Sequence, residues 1–237
     1  MTDELTRRRL LGVAGGAAAA AAVTSASAKD AGKSPETKGI KIVAVCCSPR
    51  KGKTTAEGLK ACLEAAKAVD PRIETELIEL AEMSIPGQLA AGLPLEAGQK
   101  DDFPKLVGKL ADPKVAGIIV GTPVYFGSMT SLCKSFIDRC IVFRKNKFAL
   151  GGKVGGVLAV GACRNGGQEI TIQSVQAALL SQQLIVVGDG VPTAHLGATL
   201  WSGGKGGVTE DKFGMSTAKN LGRHVAQVAL RLAPAGK

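Results

Sequence analysis

Along the chain, short continuous apolar runs alternate with longer stretches whose apolar residues recur every three or four positions. Ile42-Val43-Ala44-Val45 within 39–47, residues 115–121 and residues 154–161 are such runs, the pattern of strands buried on both faces. Residues 73–80 alternate apolar and charged side chains, which predicts a half-exposed edge strand, and 184–187 make a short fifth strand. Between the strands, Leu59, Leu63 and Ala66 give 54–68 a helical face, as Leu132, Phe136, Ile137 and Cys140 do for 128–142. Residues 101–110 and 168–182 read as two further helices. In the last, about 209–232, Leu221, Val225, Val228 and Leu232 keep helical spacing, and Pro234 ends it. Residues 84–100 hold Pro86, Gly87, Gly92, Pro94 and Gly98 and read as a loop. Strand–helix alternation of this kind predicts an α/β domain over 39–233, a parallel sheet with helices on both faces.

The N-terminus follows a different pattern. Thr6-Arg7-Arg8-Arg9-Leu10-Leu11 precedes a weakly apolar Gly/Ala stretch, 12–23, and then Ala26-Ser27-Ala28. This order resembles a twin-arginine signal peptide, 1–28, with a small-residue cleavage site. The stretch is too short and too alanine-rich for a membrane span. The expectation is therefore export by the twin-arginine machinery to a periplasmic or other extracytoplasmic location. Proteins of this class leave the cytoplasm folded, often because a cofactor is inserted first. Residues 29–38 are small and polar and read as a linker.

Composition narrows the picture in two places. The formal charge is +10, but the basic residues are dispersed and aromatics are few, so nucleic acid is not an expected partner. Six cysteines occur without any C-x-x-C spacing, which points to structural, unpaired thiols, with a disulfide between distant cysteines as the alternative in an oxidising compartment. Cys46 and Cys47 are expected on opposite sides of a strand and Cys133 and Cys140 on one face of a helix.

The candidate chemistry lies in the loops that leave the strands. Ser48-Pro49-Arg50-Lys51-Gly52-Lys53-Thr54-Thr55 follows the first strand and opens a helix, an anion site built from hydroxyls, a glycine and helix N-terminal amides. Ser48, Arg50, Lys51, Lys53, Thr54 and Thr55 are its candidate phosphate ligands. The segment is also one residue from a Walker A loop, with Cys47 in place of the first glycine. This leaves a P-loop phosphotransferase, with Asp189 as its metal-holding carboxylate, as a rival to any other phosphate binder. A plain surface turn is the third reading.

Thr122-Pro123-Val124-Tyr125-Phe126-Gly127, leaving the next buried strand, continues to Lys134-Ser135-Phe136-Ile137-Asp138-Arg139. Gly161-Ala162-Cys163-Arg164-Asn165-Gly166-Gly167-Gln168-Glu169 leaves the one after. With the first loop, these segments resemble the NADPH-dependent FMN reductase-like branch of the flavodoxin superfamily, over about 39–190. The resemblance implies a flavodoxin-like, doubly wound five-stranded parallel sheet of order 2-1-3-4-5, whose crevice opens between strands one and three. It implies FMN, with phosphate in the first loop and the flavin ring against Thr122, Pro123, Val124, Tyr125, Phe126 and Gly127. Gly161, Arg164, Asn165, Gly166 and Gly167 would close the other side.

The activity implied is flavin-mediated electron transfer from NAD(P)H, or another donor, to a small-molecule acceptor such as a quinone, flavin or metal ion. The cofactor carries that chemistry, so no catalytic side chain is nominated. A non-enzymatic flavodoxin-type electron carrier is the alternative. Family resemblance also implies a homo-oligomer. Branch members of the iron–sulfur flavoprotein type carry clustered cysteines after the second strand. Residues 82–100 here contain none, so neither an iron–sulfur cluster nor another metal site is expected.

Overall fold

The computed structural model describes residues 39–233; the expected signal peptide, 1–28, and linker, 29–38, lie outside the described residues. Strands β1 (Ile40–Cys46), β2 (Ile73–Glu79), β3 (Val115–Pro123), β4 (Val154–Gly161), β5 (Ile185–Val186) and β6 (Ala198–Trp201) form one parallel sheet. Its order is β2-β1-β3-β4-β5, with β6 also on β4. The flavodoxin-like 2-1-3-4-5 arrangement is thus present, with the reversal of winding between β1 and β3.

Alternation along each strand sorts the core into two layers. Ile42, Ala44 and Cys46 face one side with Ile119, Leu158, α1 (Thr54–Lys67) and α6 (Lys212–Leu232). Val43, Val45 and Cys47 face the other with Val120 and Ala159. Covering them are α2 (Pro104–Ala111), α3 (Ser131–Arg139), α4 (Ile141–Lys145) and α5 (Gln168–Ser181). Each fully buried leucine or isoleucine in these layers contributes about 1.5–3 kcal/mol. Cys46 and Cys47 point to opposite layers, and Cys133 and Cys140 share one. α1 and α6 meet closely: a Cβ on Gly222 would lie 1.9 Å from the Cys62 carbonyl oxygen, so only glycine fits that crossing.

Four boundaries differ from the sequence expectation. β3 runs to Pro123, so Thr122 and Pro123 belong to the strand. The helix expected at 128–142 starts after Thr130 and is broken at Cys140 into α3 and α4. The last helix begins at Lys212 because the Asp211 side chain caps it, accepting from the Gly214 amide. The fifth strand shrinks to Ile185–Val186, and β6 takes over its place against the end of β4, pairing Leu158 with Ala198 through Gly161 with Trp201. Residues 187–197, with Gly188, Gly190 and Pro192, loop out between the two. The fully buried Asp189 carboxylate gathers that loop, accepting from the Thr193 hydroxyl and the His195 amide.

Candidate functional site

Parallel pairing carries the loops after β1, β3 and β4 to the carboxyl end of the sheet, and Thr130 fastens the first two together. Its hydroxyl donates to the Cys47 carbonyl at 2.8 Å and accepts from the Cys133 amide at 3.1 Å, capping α3. Its own amide donates to Thr122 Oγ1 at 3.2 Å. The loop that starts at Ser48 is therefore tied to the loop that starts at Val124 through one buried side chain.

In the first loop, Ser48 is buried and its hydroxyl folds the turn, accepting from the Arg50 amide at 3.1 Å. Gly52 adopts φ +63° and its amide donates to Glu79 Oε2 at 2.7 Å. Lys51 pairs with Glu82 at 2.9 Å, which raises its pKa. Glu79 at the end of β2 and Glu82 in the loop after it thus brace this turn. Arg50 and Lys53 are exposed, and neither forms an ion pair among the described residues. α1 begins at Thr54 and Thr55 with no side-chain cap, so its first amides face the loop. An anion placed there meets two cations, a helix N-terminus and the Thr54 hydroxyl.

The second loop is a tight hairpin. The Tyr125 amide donates to the Ser128 carbonyl at 2.9 Å and the Ser128 amide returns to Tyr125 at 3.1 Å, with Phe126 at φ +52° and Gly127 at +72°. These angles define a type I′ turn. For a phenylalanine the left-handed conformation costs roughly 1–2 kcal/mol, and here it holds a fully exposed ring at the tip, beside half-exposed Tyr125. Val124 is partly buried against the core and approaches Gly167, and Tyr125–Gly127 form the exposed tip. Pro123 is buried, and the buried Thr122 side chain is spent on Thr130 and on the Pro123 carbonyl.

The third loop completes the group. Gly167 stands at φ +97°, and a Cβ on it would come 3.0 Å from Gly127 Cα and 3.5 Å from the Val124 side chain. Loops two and three therefore touch backbone to backbone. Gln168 Nε2 donates to the Cys163 carbonyl at 2.8 Å, holding the turn that carries Arg164, Asn165 and Gly166. Arg164 lies 5.1 Å from the Trp201 ring centroid and 3.5 Å from Asp211. The Gly161 carbonyl receives the Ser202 amide at 2.9 Å, which draws in the glycine-rich segment after β6. Within that segment, a Cβ on Gly207 would lie 3.2 Å from the Thr54 methyl.

The structure thus brings all seventeen expected residues to the carboxyl end of the sheet. It adds Thr130, Glu79, Glu82, Gln168 and the 202–207 segment. A threonine three residues before Cys133 at a helix start is a capping signal, and a carboxylate ending the second strand of a βαβ unit lies near the first loop. Nothing in the composition of 202–207 pointed to its place. Asp138 and Arg139 do not pair with each other: Asp138 bonds Lys134, and Arg139 grips Asp101 through two bonds of 2.9 and 2.8 Å. Asp189, the carboxylate of the P-loop reading, is consumed inside the 187–197 loop and offers nothing to the first loop.

The chain matches the model of the family described as NADPH-dependent FMN reductase over residues 40–199. It belongs to that family, whose members are FMN-dependent oxidoreductases. An iron-sulfur flavoprotein of Methanocaldococcus jannaschii is 40% identical over 196 residues, 80% of this chain and 97% of the relative. One of Methanosarcina thermophila is 33% identical over 192 residues, 80% and 95%. A crystal structure of an NADH:FMN oxidoreductase in its apo form superposes with TM-score 0.58 at 22% identity, covering 80% of this chain and 89% of that one.

The FMN that the family implies fits the donors present: cations and free helix amides for a phosphate, and an exposed aromatic tip for a ring. The cluster named for the relatives does not fit. Such clusters take four thiolates, and among the described residues no group of three or more His, Cys, Asp or Glu is placed to hold a metal ion. Burial also keeps four of the thiols protonated. It pushes Cys46 up to about 11 and raises Cys62 and Cys140 further; Cys47 rises through burial and the neighbouring Cys133.

Proposed function

We propose that this chain is an exported FMN-binding oxidoreductase that passes electrons from NAD(P)H, or another donor, to a quinone, flavin or metal acceptor. One observation carries the reading: Thr130 binds the phosphate-type loop after β1 to the aromatic-tipped loop after β3 at the point where the sheet reverses its winding. Bound FMN would supply the hydride and electron chemistry. Arg50, Lys53, Thr54 and the first amides of α1 would hold its phosphate, and the 124–127 turn and 164–167 would position the ring. Names of the relatives and of the structural neighbour, which refer to flavin, support the same cofactor.

Export rests on the N-terminal pattern Thr6-Arg7-Arg8-Arg9-Leu10-Leu11, and a homo-oligomer rests on the family. Sedimentation of the folded protein and a fusion of residues 1–28 to a reporter that is active only when exported test these two points.

Steady-state oxidation of NADPH and NADH by flavin-loaded protein, with a quinone as acceptor, tests the activity. Flavin-dependent turnover supports a reductase. A yellow protein that oxidises neither nucleotide, yet accepts electrons from dithionite, is an electron carrier instead.

A further inference from the structure

The 187–197 loop and the second half of α6 enclose a groove of about 360 Å3, and none of the residues assigned to the flavin lines it. The volume suits one small organic ligand. Asn220, Arg223, His224 and Arg231 form one side, three or four residues apart along a single helix face or beside one another on it. Val191 and Ala194 form the other. Gly190 brings the two sides together. It stands at φ +71°, and a Cβ on it would lie 2.8 Å from His224 Cγ, so only glycine lets the loop rest on the helix there.

The groove is cationic. No Asp or Glu among the described residues lines it, and neither Arg223 nor Arg231 forms an ion pair among them. Asp189, the carboxylate nearest in the bonding network, is fully buried and spent on the Thr193 hydroxyl and the His195 amide. Arg223 is held in place: its Nη2 donates to Asn220 Oδ1 at 2.8 Å, and Asn220 Nδ2 donates to Thr193 Oγ1 at 2.8 Å. The residue that orients the arginine thus also ties the helix to the loop. The other donors of the guanidinium remain for a ligand. His224 Nδ1 donates to the Gly188 carbonyl at 3.0 Å, which leaves Nε2 to the groove.

Guanidinium forks match carboxylate and phosphate oxygens. Two uncompensated guanidiniums favour a dianion over a carboxylate, and a phosphate monoester carries about two negative charges at neutral pH. Val191, 80% exposed, and Ala194 offer an apolar wall to the organic part. We propose that this groove binds a soluble phosphate monoester the size of a sugar phosphate, its phosphate held by Arg223, Arg231 and His224. The site is separate from the one assigned to the flavin phosphate, and the inference does not depend on the proposed function.

The test titrates the full chain, given one equivalent of FMN to fill the β1 loop, with ribose 5-phosphate, ribose and acetate in a calorimeter. Saturable binding of ribose 5-phosphate alone is expected. Arg223→Gln and Arg231→Gln each remove one charge-assisted contact and are expected to raise its Kd about tenfold. Lys219→Gln removes an exposed charge from α6 outside the groove and is expected to change that Kd by less than about twofold. Failure to bind ribose 5-phosphate, equal binding of ribose or acetate, or a Lys219→Gln effect as large as that of the arginine variants would overturn the site. Sedimentation with phosphatidic acid vesicles by a protein that ignores ribose 5-phosphate would assign the groove to a membrane headgroup and overturn the soluble-ligand reading. If the protein takes up no FMN, arginine-dependent binding of ribose 5-phosphate still supports the groove, and the flavin reading alone fails.

Discussion

The Thr130 hydroxyl lies 2.8 Å from the carbonyl oxygen of Cys47, eighty-three residues earlier in the chain, and this bond joins the two loops on which the flavin site depends. Replacing Thr130 by valine keeps the shape, removes the donor and the α3 cap, and strands the buried Cys47 carbonyl. The expected loss is about 1–3 kcal/mol of stability, with FMN Kd raised about tenfold. Thr130→Ser keeps both bonds and is expected to bind FMN as the parent does. Urea unfolding and a flavin fluorescence titration check the two outcomes together.

Glu79 acts on the first loop from β2. Its carboxylate holds the Gly52 amide and so fixes the turn that precedes α1. Glu79→Ala frees the turn, whose ordering on binding costs about 1–2 kcal/mol per residue, so FMN affinity is expected to fall about tenfold. Glu79→Gln preserves an acceptor and removes a negative charge, so affinity is expected to be retained or slightly increased. If alanine tightened binding as much as glutamine, repulsion rather than bracing would be the carboxylate's main effect.

Gly167→Ala places a methyl 3.0 Å from Gly127 Cα on a backbone at φ +97°. The strain alone costs about 1–2 kcal/mol, and the contact forces loops two and three apart. A lower unfolding midpoint in urea and weaker FMN binding are expected together. A variant matching the parent in both would show that the loops do not meet at this glycine.

Acid stability follows from carboxylates held by cations. The two-bond grip of Arg139 lowers the Asp101 pKa, and Lys109 and Lys41 lower that of Glu76. Folded values below the unfolded ones, about 4, mean that these groups stabilise the fold fully above that pH. Their contribution is lost as pH falls through the folded values. Unfolding free energy is therefore expected to hold steady down to about pH 5 and to drop below about pH 4. Arg139→Met should cost about 1.5–3 kcal/mol at neutral pH, and its gap from the parent should close in acid as Asp101 is protonated.

The layered fold was legible because β1, β3 and β4 are continuous apolar runs and α1 and α6 keep a helical stripe; both are local signals. What escaped depends on contacts between distant segments. β6 is only Ala198–Trp201, follows the loop gathered by Asp189, and gains its identity from pairing with β4. The loop residues of the site were readable from glycines, hydroxyls and cations in order. Thr130 showed only as a helix cap and Glu79 only as the end of a strand, and the 202–207 segment not at all, since the contact each makes with the site spans tens of residues. Thr122 illustrates the converse: it lies in the site's sequence motif, but pairing extends β3 through it and turns its hydroxyl inward.

The most direct measurement is the binding of FMN, and in parallel of riboflavin, to freshly purified protein by flavin fluorescence and absorbance. Loops clasping both a ring and a phosphate predict saturable quenching at one FMN per chain, with riboflavin bound much more weakly. A colourless protein that leaves FMN fluorescence unchanged, or one that binds riboflavin as tightly as FMN, would contradict the assignment of the β1 loop to phosphate and of the β3 loop to the ring.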